Sequence, residues 1–259
     1  MLRGGVCLML VAMACAAPLA DAGGATPDRV YGGQTEQGLP GYVKILPHGA
    51  GVQAAFTYST FCSGGDGSIL WSGVAKAALK RGRFHYVRKE DAKGPRITLD
   101  GRIGANDVSG TWQVHFSTRT KLGTVTDVCD SGSVSWTLPR DGAGGQIANG
   151  YPISMRISKT NVKTMGVVTQ VNCKSGDSYL IPAFYDNFAV AKDGTFGRKF
   201  TDAGVPNKGQ TSELSLEFRG RFRAGRGSGT WSMHVVFSDK SGKQTDTCDS
   251  GLVHWTATA

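Results

Sequence analysis

Hydrophobic and polar residues alternate with a period of two along most of the chain after residue 28. Trp112, Val114 and Phe116, for example, alternate with the polar residues Gln113 and His115. This pattern predicts β-strands with one buried and one solvated face. We find no segment with helical periodicity in this part of the chain. The strands predicted in its first half are Tyr42–Leu46, Ala54–Cys62, Gly73–Leu79, Gly82–Val87, Ile97–Ile103, Thr111–Phe116 and Ser133–Leu138.

The pattern occurs twice. The segment Ser-Gly-Thr-Trp ending at Trp112 recurs at Trp231, and the Cys-Asp-Ser-Gly segment at Cys129 recurs at Cys248, in both cases 119 positions later (248 − 129). Such a repeat predicts two domains of the same fold, residues 29–140 and 146–259, joined by the glycine-rich linker Asp141–Gly145. Many short strands separated by turn residues predict an all-β fold, with each domain an antiparallel β-sandwich or small barrel.

The N-terminus has the features of a signal peptide. Arg3 precedes the apolar run Val6–Leu19, and Ala20-Asp21-Ala22 is a small-residue cleavage site. Cleavage after residue 22 predicts an exported protein, whether periplasmic, secreted or at the cell surface. No later stretch approaches the roughly 20 apolar residues that a membrane-spanning helix needs. A retained N-terminal anchor and lipid attachment at Cys15 are the alternatives.

Four cysteines remain after cleavage, two in each copy and at corresponding places. In an oxidising compartment they predict disulfides, and repeat symmetry favours one bond within each copy over the other two connectivities. The zinc alternative is weaker, since the chain has no Cys-x-x-Cys. The predicted pairs are Cys62–Cys129 and Cys173–Cys248.

The net charge of +9 predicts an anionic partner, such as an envelope polymer or glycan. Nucleic acid is not expected as the physiological partner of an exported protein. The alternative is that the positive charge only keeps the protein soluble.

Part of this positive charge is concentrated in a run of arginines on one predicted strand. Arg219, Arg221 and Arg223 alternate along one predicted strand and should share its solvent face, with Arg226 in the next turn. The first copy has one arginine, Arg102, at the three positions that correspond. Guanidinium groups on one face suit phosphate or carboxylate groups of a polymer. The alternative is a charged face that discourages aggregation.

Two further features distinguish the copies. Trp71 has no matching tryptophan in the second copy, so it is a candidate for stacking on a sugar ring, with simple packing as the alternative. The second copy carries additional residues within Thr201–Ser212, which we interpret as a lengthened loop.

Aspartates lie close to every predicted disulfide and form a candidate calcium site in each copy, because calcium prefers several oxygen ligands. Turn chemistry is the alternative, with each carboxylate accepting backbone hydrogen bonds. No other cofactor is predicted. The candidate ligands are Asp66, Asp127 and Asp130 in the first copy and Asp177, Asp246 and Asp249 in the second.

No nucleophile motif of the Gly-x-Ser-x-Gly type and no His-Glu-x-x-His is present, although triads assembled from scattered residues need neither. The sequence therefore favours a non-catalytic binding or structural module at or outside the bacterial cell envelope. The alternatives are an envelope-directed hydrolase, with its site in one domain or at the domain joint, and a protein–protein interaction module.

The motifs also carry a resemblance. The frame Gly-Gly-Gln-x-x-x-Gly-x-Pro, Cys, Gly-Thr-Trp and Cys-Asp-Ser-Gly-x-Val-x-Trp-Thr resembles repeats of uncharacterised exported bacterial proteins that end in a similar Cys-Asp-[Ser/Thr]-Gly-x-Val-x-[Trp/Phe] strand. It covers residues 32–138 and 144–257. The resemblance implies export and an all-β fold, and it brings no activity with it.

Overall fold

The computed structural model describes residues 29–64, 68–91, 94–119, 125–204 and 210–259. Strands dominate these ranges, and the single helical element within them is the 3-10 turn Pro47–Gly49. No helix in the described ranges is long and apolar enough to cross a membrane. The predicted signal peptide, residues 1–22, lies outside the described residues.

Eighteen strands form two nine-stranded antiparallel sheets, which confirms the all-β prediction. The strands of the first sheet are β1 Arg29–Gln34, β2 Pro40–Ile45, β3 Gly51–Cys62, β4 Ser68–Lys80, β5 Arg83–Arg88, β6 Arg96–Ile103, β7 Asp107–Arg119, β8 Val125–Asp130 and β9 Val134–Pro139. Those of the second sheet are β10 Gly142–Ile147, β11 Pro152–Ile157, β12 Asn161–Cys173, β13 Ser178–Ala189, β14 Thr195–Gly204, β15 Gln210–Arg223, β16 Arg226–Asp239, β17 Gln244–Asp249 and β18 Val253–Thr258.

Each sheet closes on itself. In the first, β3 pairs with β4 along most of its length and with β8 at its far end, so that β3 to β8 form a six-stranded barrel. In the second, β17 joins β12 to β16 and closes a ring that runs through β11, β10 and β18. Closure removes exposed sheet edges along these strands.

Two sequence predictions about connections are wrong. Most of the predicted linker Asp141–Gly145 belongs to β10, which pairs with both β11 and β18. The predicted loop within Thr201–Ser212 begins and ends as strand, because Thr201 pairs with Ser215 and Gly204 pairs with Ser212; residues 205–209 lie outside the described residues. Glycine and polar residues indicated loops here, but tertiary pairing sets the conformation.

The repeat-matched tryptophans are core residues in both barrels. Phe56 on β3 lies between the two tryptophans of the first barrel, with ring centroids 5.2 and 5.0 Å away. In the second barrel Phe218 on β15 lies between the two tryptophans, with ring centroids 5.8 and 5.2 Å away. The same space is therefore filled from different strands. The four tryptophans, all at most 3% exposed, are Trp112, Trp136, Trp231 and Trp255.

The two barrels pack through the outer faces of β1–β3 and β10–β12. Val30, Tyr42 and Ala55 form a small buried cluster outside the first barrel core. A Cβ atom on Gly144 would lie 2.3 Å from the Cβ of Tyr42, and one on Gly32 would lie 1.9 Å from a backbone oxygen of β10. Glycine is therefore what permits this close approach.

We expect Gly32→Ala to destabilise the protein by about 3 kcal/mol, because overpacking costs of order 1–3 kcal/mol and the obstructing atom here is backbone. Urea unfolding followed by tryptophan fluorescence measures the change. Gly33→Ala on the same strand is the matched control, since its Cβ would first meet the end of the Leu138 side chain, at 3.2 Å. Equal effects of the two substitutions would contradict the proposed role of Gly32.

Candidate functional site

The predicted disulfides are present and close the barrels. Cys62 bonds to Cys129, and Cys173 bonds to Cys248. In both cases the two cysteines are direct cross-strand partners, on β3 and β8 in the first barrel and on β12 and β17 in the second. Each bond therefore lies at the strand pair that completes its ring.

The serine of the Cys-Asp-Ser-Gly motif holds a kink between β8 and β9. The Ser131 amide donates to the Val114 carbonyl at 2.9 Å, and the Val114 amide donates to Ser131 Oγ at 2.9 Å. That hydroxyl in turn donates to the Gly132 carbonyl at 2.8 Å. Ser250 makes the same contacts with Met233 in the second barrel. Both hydroxyls are thus committed to the backbone.

The aspartate of the motif holds a histidine on the neighbouring strand. His115 Nδ1 lies 2.9 Å from Asp130 Oδ2, and His234 Nδ1 lies 2.9 Å from Asp249 Oδ2. Burial raises the pKa of Asp130, but hydrogen bonds from His115 and the Gly132 amide outweigh it and leave this pKa below its usual value. The pair joins β7 to β8 in the first barrel and β16 to β17 in the second.

A second aspartate ties down the turn that follows each first cysteine. Asp127 accepts hydrogen bonds from the Ser63 hydroxyl and from the Gly64 amide, the latter at 2.9 Å. Asp246 accepts one from the Ser175 hydroxyl at 2.6 Å. The serine hydroxyls are the main cause of the lowered pKa of both carboxyls. This is the turn chemistry that the sequence offered as the alternative to calcium.

The first-copy aspartates do not gather at one point among the described residues. Asp127 and Asp130 are three positions apart on β8, so strand alternation directs them to opposite faces. Asp66 lies outside the described residues. The potential ligands that do cluster are Asp127, Cys62 and Cys129, and the two sulfurs are bonded to each other.

The second copy brings two carboxylates to one hydroxyl. Ser175 Oγ lies 2.6 Å from Asp246 and 3.4 Å from Asp177. Asp249, three positions along β17 from Asp246, is directed to the other face and bonds His234. Calcium binding stays a prediction, and the carboxylates described have partners within the protein.

Comparison with protein-family models, curated proteins and solved structures finds no match to this chain. The functional argument therefore rests on the surface chemistry of the two barrels.

The predicted arginine ladder is present as an exposed surface on the hairpin β15–β16. Arg226 does not lie in the turn, as the sequence suggested, but opens β16 directly opposite Arg223. Arg219 forms an ion pair with Glu217 at 2.5 Å, and Arg221 Nε donates to the Asp193 carbonyl at 3.0 Å. We call this surface the arginine face; its members are Arg219, Arg221, Arg223 and Arg226.

A groove of about 670 Å³ adjoins the arginine face. Arg221 and Arg223 form one side of it, and Lys159 and Lys192 come from the turns before β12 and β14. Sequence reasoning missed both lysines, because only the barrel brings these separate turns together. The acidic residue in the lining is Asp193, whose pKa is lowered by hydrogen bonds from the Thr195 hydroxyl and amide.

The other predicted ligand residue, Trp71, has its backbone in β4 opposite Tyr58. Its side chain lies outside the described part of the structure, so sugar stacking by Trp71 stays a prediction.

One polar row was not predicted. Ser215, His234 and Asp249 lie in register on β15, β16 and β17, so that residues of the types used in hydrolase triads are cross-strand neighbours. The histidine already bonds the aspartate through Nδ1. Ser215 Oγ lies 3.4 Å from Thr201 Oγ1. The first copy has Arg96 at the serine position, opposite His115.

We expect Ser131→Ala to lower the free energy of unfolding by about 1–3 kcal/mol, because the buried Val114 amide loses its acceptor. The measurement is chemical denaturation of the oxidised protein. Ser133→Ala is the matched control, two residues away and exposed. A loss in Ser133→Ala as large as that in Ser131→Ala would show that the hydroxyl does not hold the kink.

Proposed function

We propose that this protein is an exported, non-catalytic binding module that acts at or beyond the bacterial cell envelope, and that its arginine face and the adjoining groove contact an anionic polymer or glycan. The observation that carries this proposal is the convergence of four arginines from the hairpin β15–β16 and two lysines from the β11–β12 and β13–β14 connections on one exposed region. The disulfides and the signal-like N-terminus support the export part.

These cations are available to a ligand. Among the described residues, Arg223, Arg226, Lys159 and Lys192 form no ion pair. Alternate residues of a strand are roughly 6.6 Å apart, so a linear polymer with one acidic group on each repeating unit meets several guanidinium groups at once. Guanidinium binds carboxylate and phosphate groups through paired hydrogen bonds, which gives more specificity than net charge alone.

The test replaces Arg219, Arg221 and Arg223 with Gln and measures binding of polygalacturonate by isothermal titration at several salt concentrations. We expect the affinity to fall at least about tenfold, since charge-assisted hydrogen bonds contribute about 1.5–3 kcal/mol each. The salt dependence should also weaken, because fewer counterions are released.

The matched control removes the same charge at the opposite end of β16 and in the nearby turn before β13, through Lys174→Gln, Lys240→Gln and Lys243→Gln. It should bind almost as the parent protein does. Equal losses in the two triple variants would mean that the polymer senses only net charge, and would overturn the arginine face as the site.

The row Ser215–His234–Asp249 favours a hydrolase as the second candidate. The binding proposal predicts no turnover of p-nitrophenyl esters above the buffer rate. Turnover that is lost in Ser215→Ala and retained in Ser232→Ala, a serine on the same face of β16 as His234, would put the hydrolase first.

A further inference from the structure

We infer that the first barrel carries a second binding groove, for an acidic saccharide, on the outer face of β4–β7. This inference deepens the proposed function, since it rests on the same polymer-binding role and adds a site and a ligand class.

The groove has a volume of about 870 Å³. Its basic residues come from the hairpin β4–β5 and from β6, and its hydroxyls come from β7. Gly101, Gly110 and Phe84 also line the groove, between the rows of polar residues. The polar residues that line it are Lys80, Arg83, Arg102, Ser109 and Thr111, together with His85 and Asp100.

The charge balance favours an anion. Lys80, Arg83 and Arg102 are exposed, and within the described ranges none of them forms an ion pair. Arg83 and Arg102 are direct cross-strand neighbours, which places two guanidinium groups side by side. The acidic residue of the lining, Asp100, bonds His85 Nδ1 at 2.7 Å, so this carboxylate is already engaged.

The position of the groove corresponds to that of the arginine face. Arg102 and Arg221 are 119 residues apart (221 − 102), the same spacing as the matched cysteines. The sequence shows only Arg102 in the first copy, because the repeat aligns residues along one strand and not across neighbouring strands. The structure supplies Arg83 on β5 and Lys80 at the end of β4, so the first barrel assembles its basic surface from three strands.

The length of the groove and its hydroxyls favour a saccharide over a small inorganic anion. Gly101 and Gly110 are paired, and a Cβ on Gly101 would lie 2.1 Å from the Phe84 ring. Both glycines are inward-facing positions, so the strip between the Arg102–Ser109 and Asp100–Thr111 pairs presents only backbone to the outer face. Ser109 and Thr111 pair with Arg102 and Asp100 and therefore lie on the same outer face, where their hydroxyls are placed to bond sugar hydroxyls.

The experiment titrates tetragalacturonic acid into the oxidised protein by calorimetry. We expect two tetrasaccharides per chain. The double variant Arg83→Gln, Arg102→Gln should bind one, with affinity at the first-barrel site reduced by at least about tenfold. The variant of Arg219, Arg221 and Arg223 should also bind one, at the remaining groove.

The matched control is Lys89→Gln with Arg96→Gln, which removes the same charge from the opposite ends of β5 and β6. It should still bind two. Neutral maltotetraose should not bind, and millimolar phosphate should compete only weakly.

The pattern of losses distinguishes failure of the second groove from failure of the arginine face. A single site that disappears with the arginine-face variant and is unaffected by Arg83→Gln with Arg102→Gln overturns the second groove and leaves the proposed function standing. A single site with the reverse behaviour overturns the arginine face. Equally tight binding of phosphate overturns the saccharide assignment, and no binding of the tetrasaccharide overturns both sites for this ligand class.

Discussion

The architecture depends on how one long strand is paired by two short ones. β7 pairs with β9 over its first part and with β8 over its second, and the chain between them must turn without leaving the amides of β7 unsatisfied. The Ser131 hydroxyl takes the place of a strand carbonyl at that turn. The shift in direction lets β8 reach β3, where Cys129 meets Cys62. The Cys-Asp-Ser-Gly motif thus supplies both the serine that holds the kink and the cysteine that closes the barrel. This explains why the whole motif occurs in both copies.

The glycine contact between the barrels imposes a second constraint. Because Gly32 and Gly144 lie against the backbone and Tyr42 of the neighbouring barrel, the two sheets approach more closely than side chains would allow. Most of the segment that the sequence predicted as a linker belongs to β10, which is paired on both sides. The two basic surfaces therefore belong to a tightly packed pair of barrels. Under the proposed function, two modest sites on one chain would raise the avidity for a long polymer.

The sequence predicted the fold class and the disulfides, because these follow from local alternation and from matched spacing. It missed β1 and β8. β1 contains Gly32-Gly33, and β8 lacks clear alternation, so their pairing is decided by the rest of the barrel. Of the arginine face it found every member, since alternation on a strand is visible in sequence. Lys159 and Lys192 escaped it, because their proximity to Arg221 exists only after the barrel closes.

The comparison of the two copies separates scaffold from surface. The residues that hold the kink and the disulfide have the same partners in both barrels, whereas the outer strands differ in which residues supply positive charge. Where the first barrel has Asp100 bonded to His85, the second has Arg219 paired with Glu217. Arg102 and Arg221 remain in step, so each copy keeps one guanidinium group at the centre of a differently composed basic surface. A structural spacer has no need to rebuild positive charge from different strands at the same place. The proposed function, with two related but unequal binding surfaces, would account for both the matched arginine and the divergence around it.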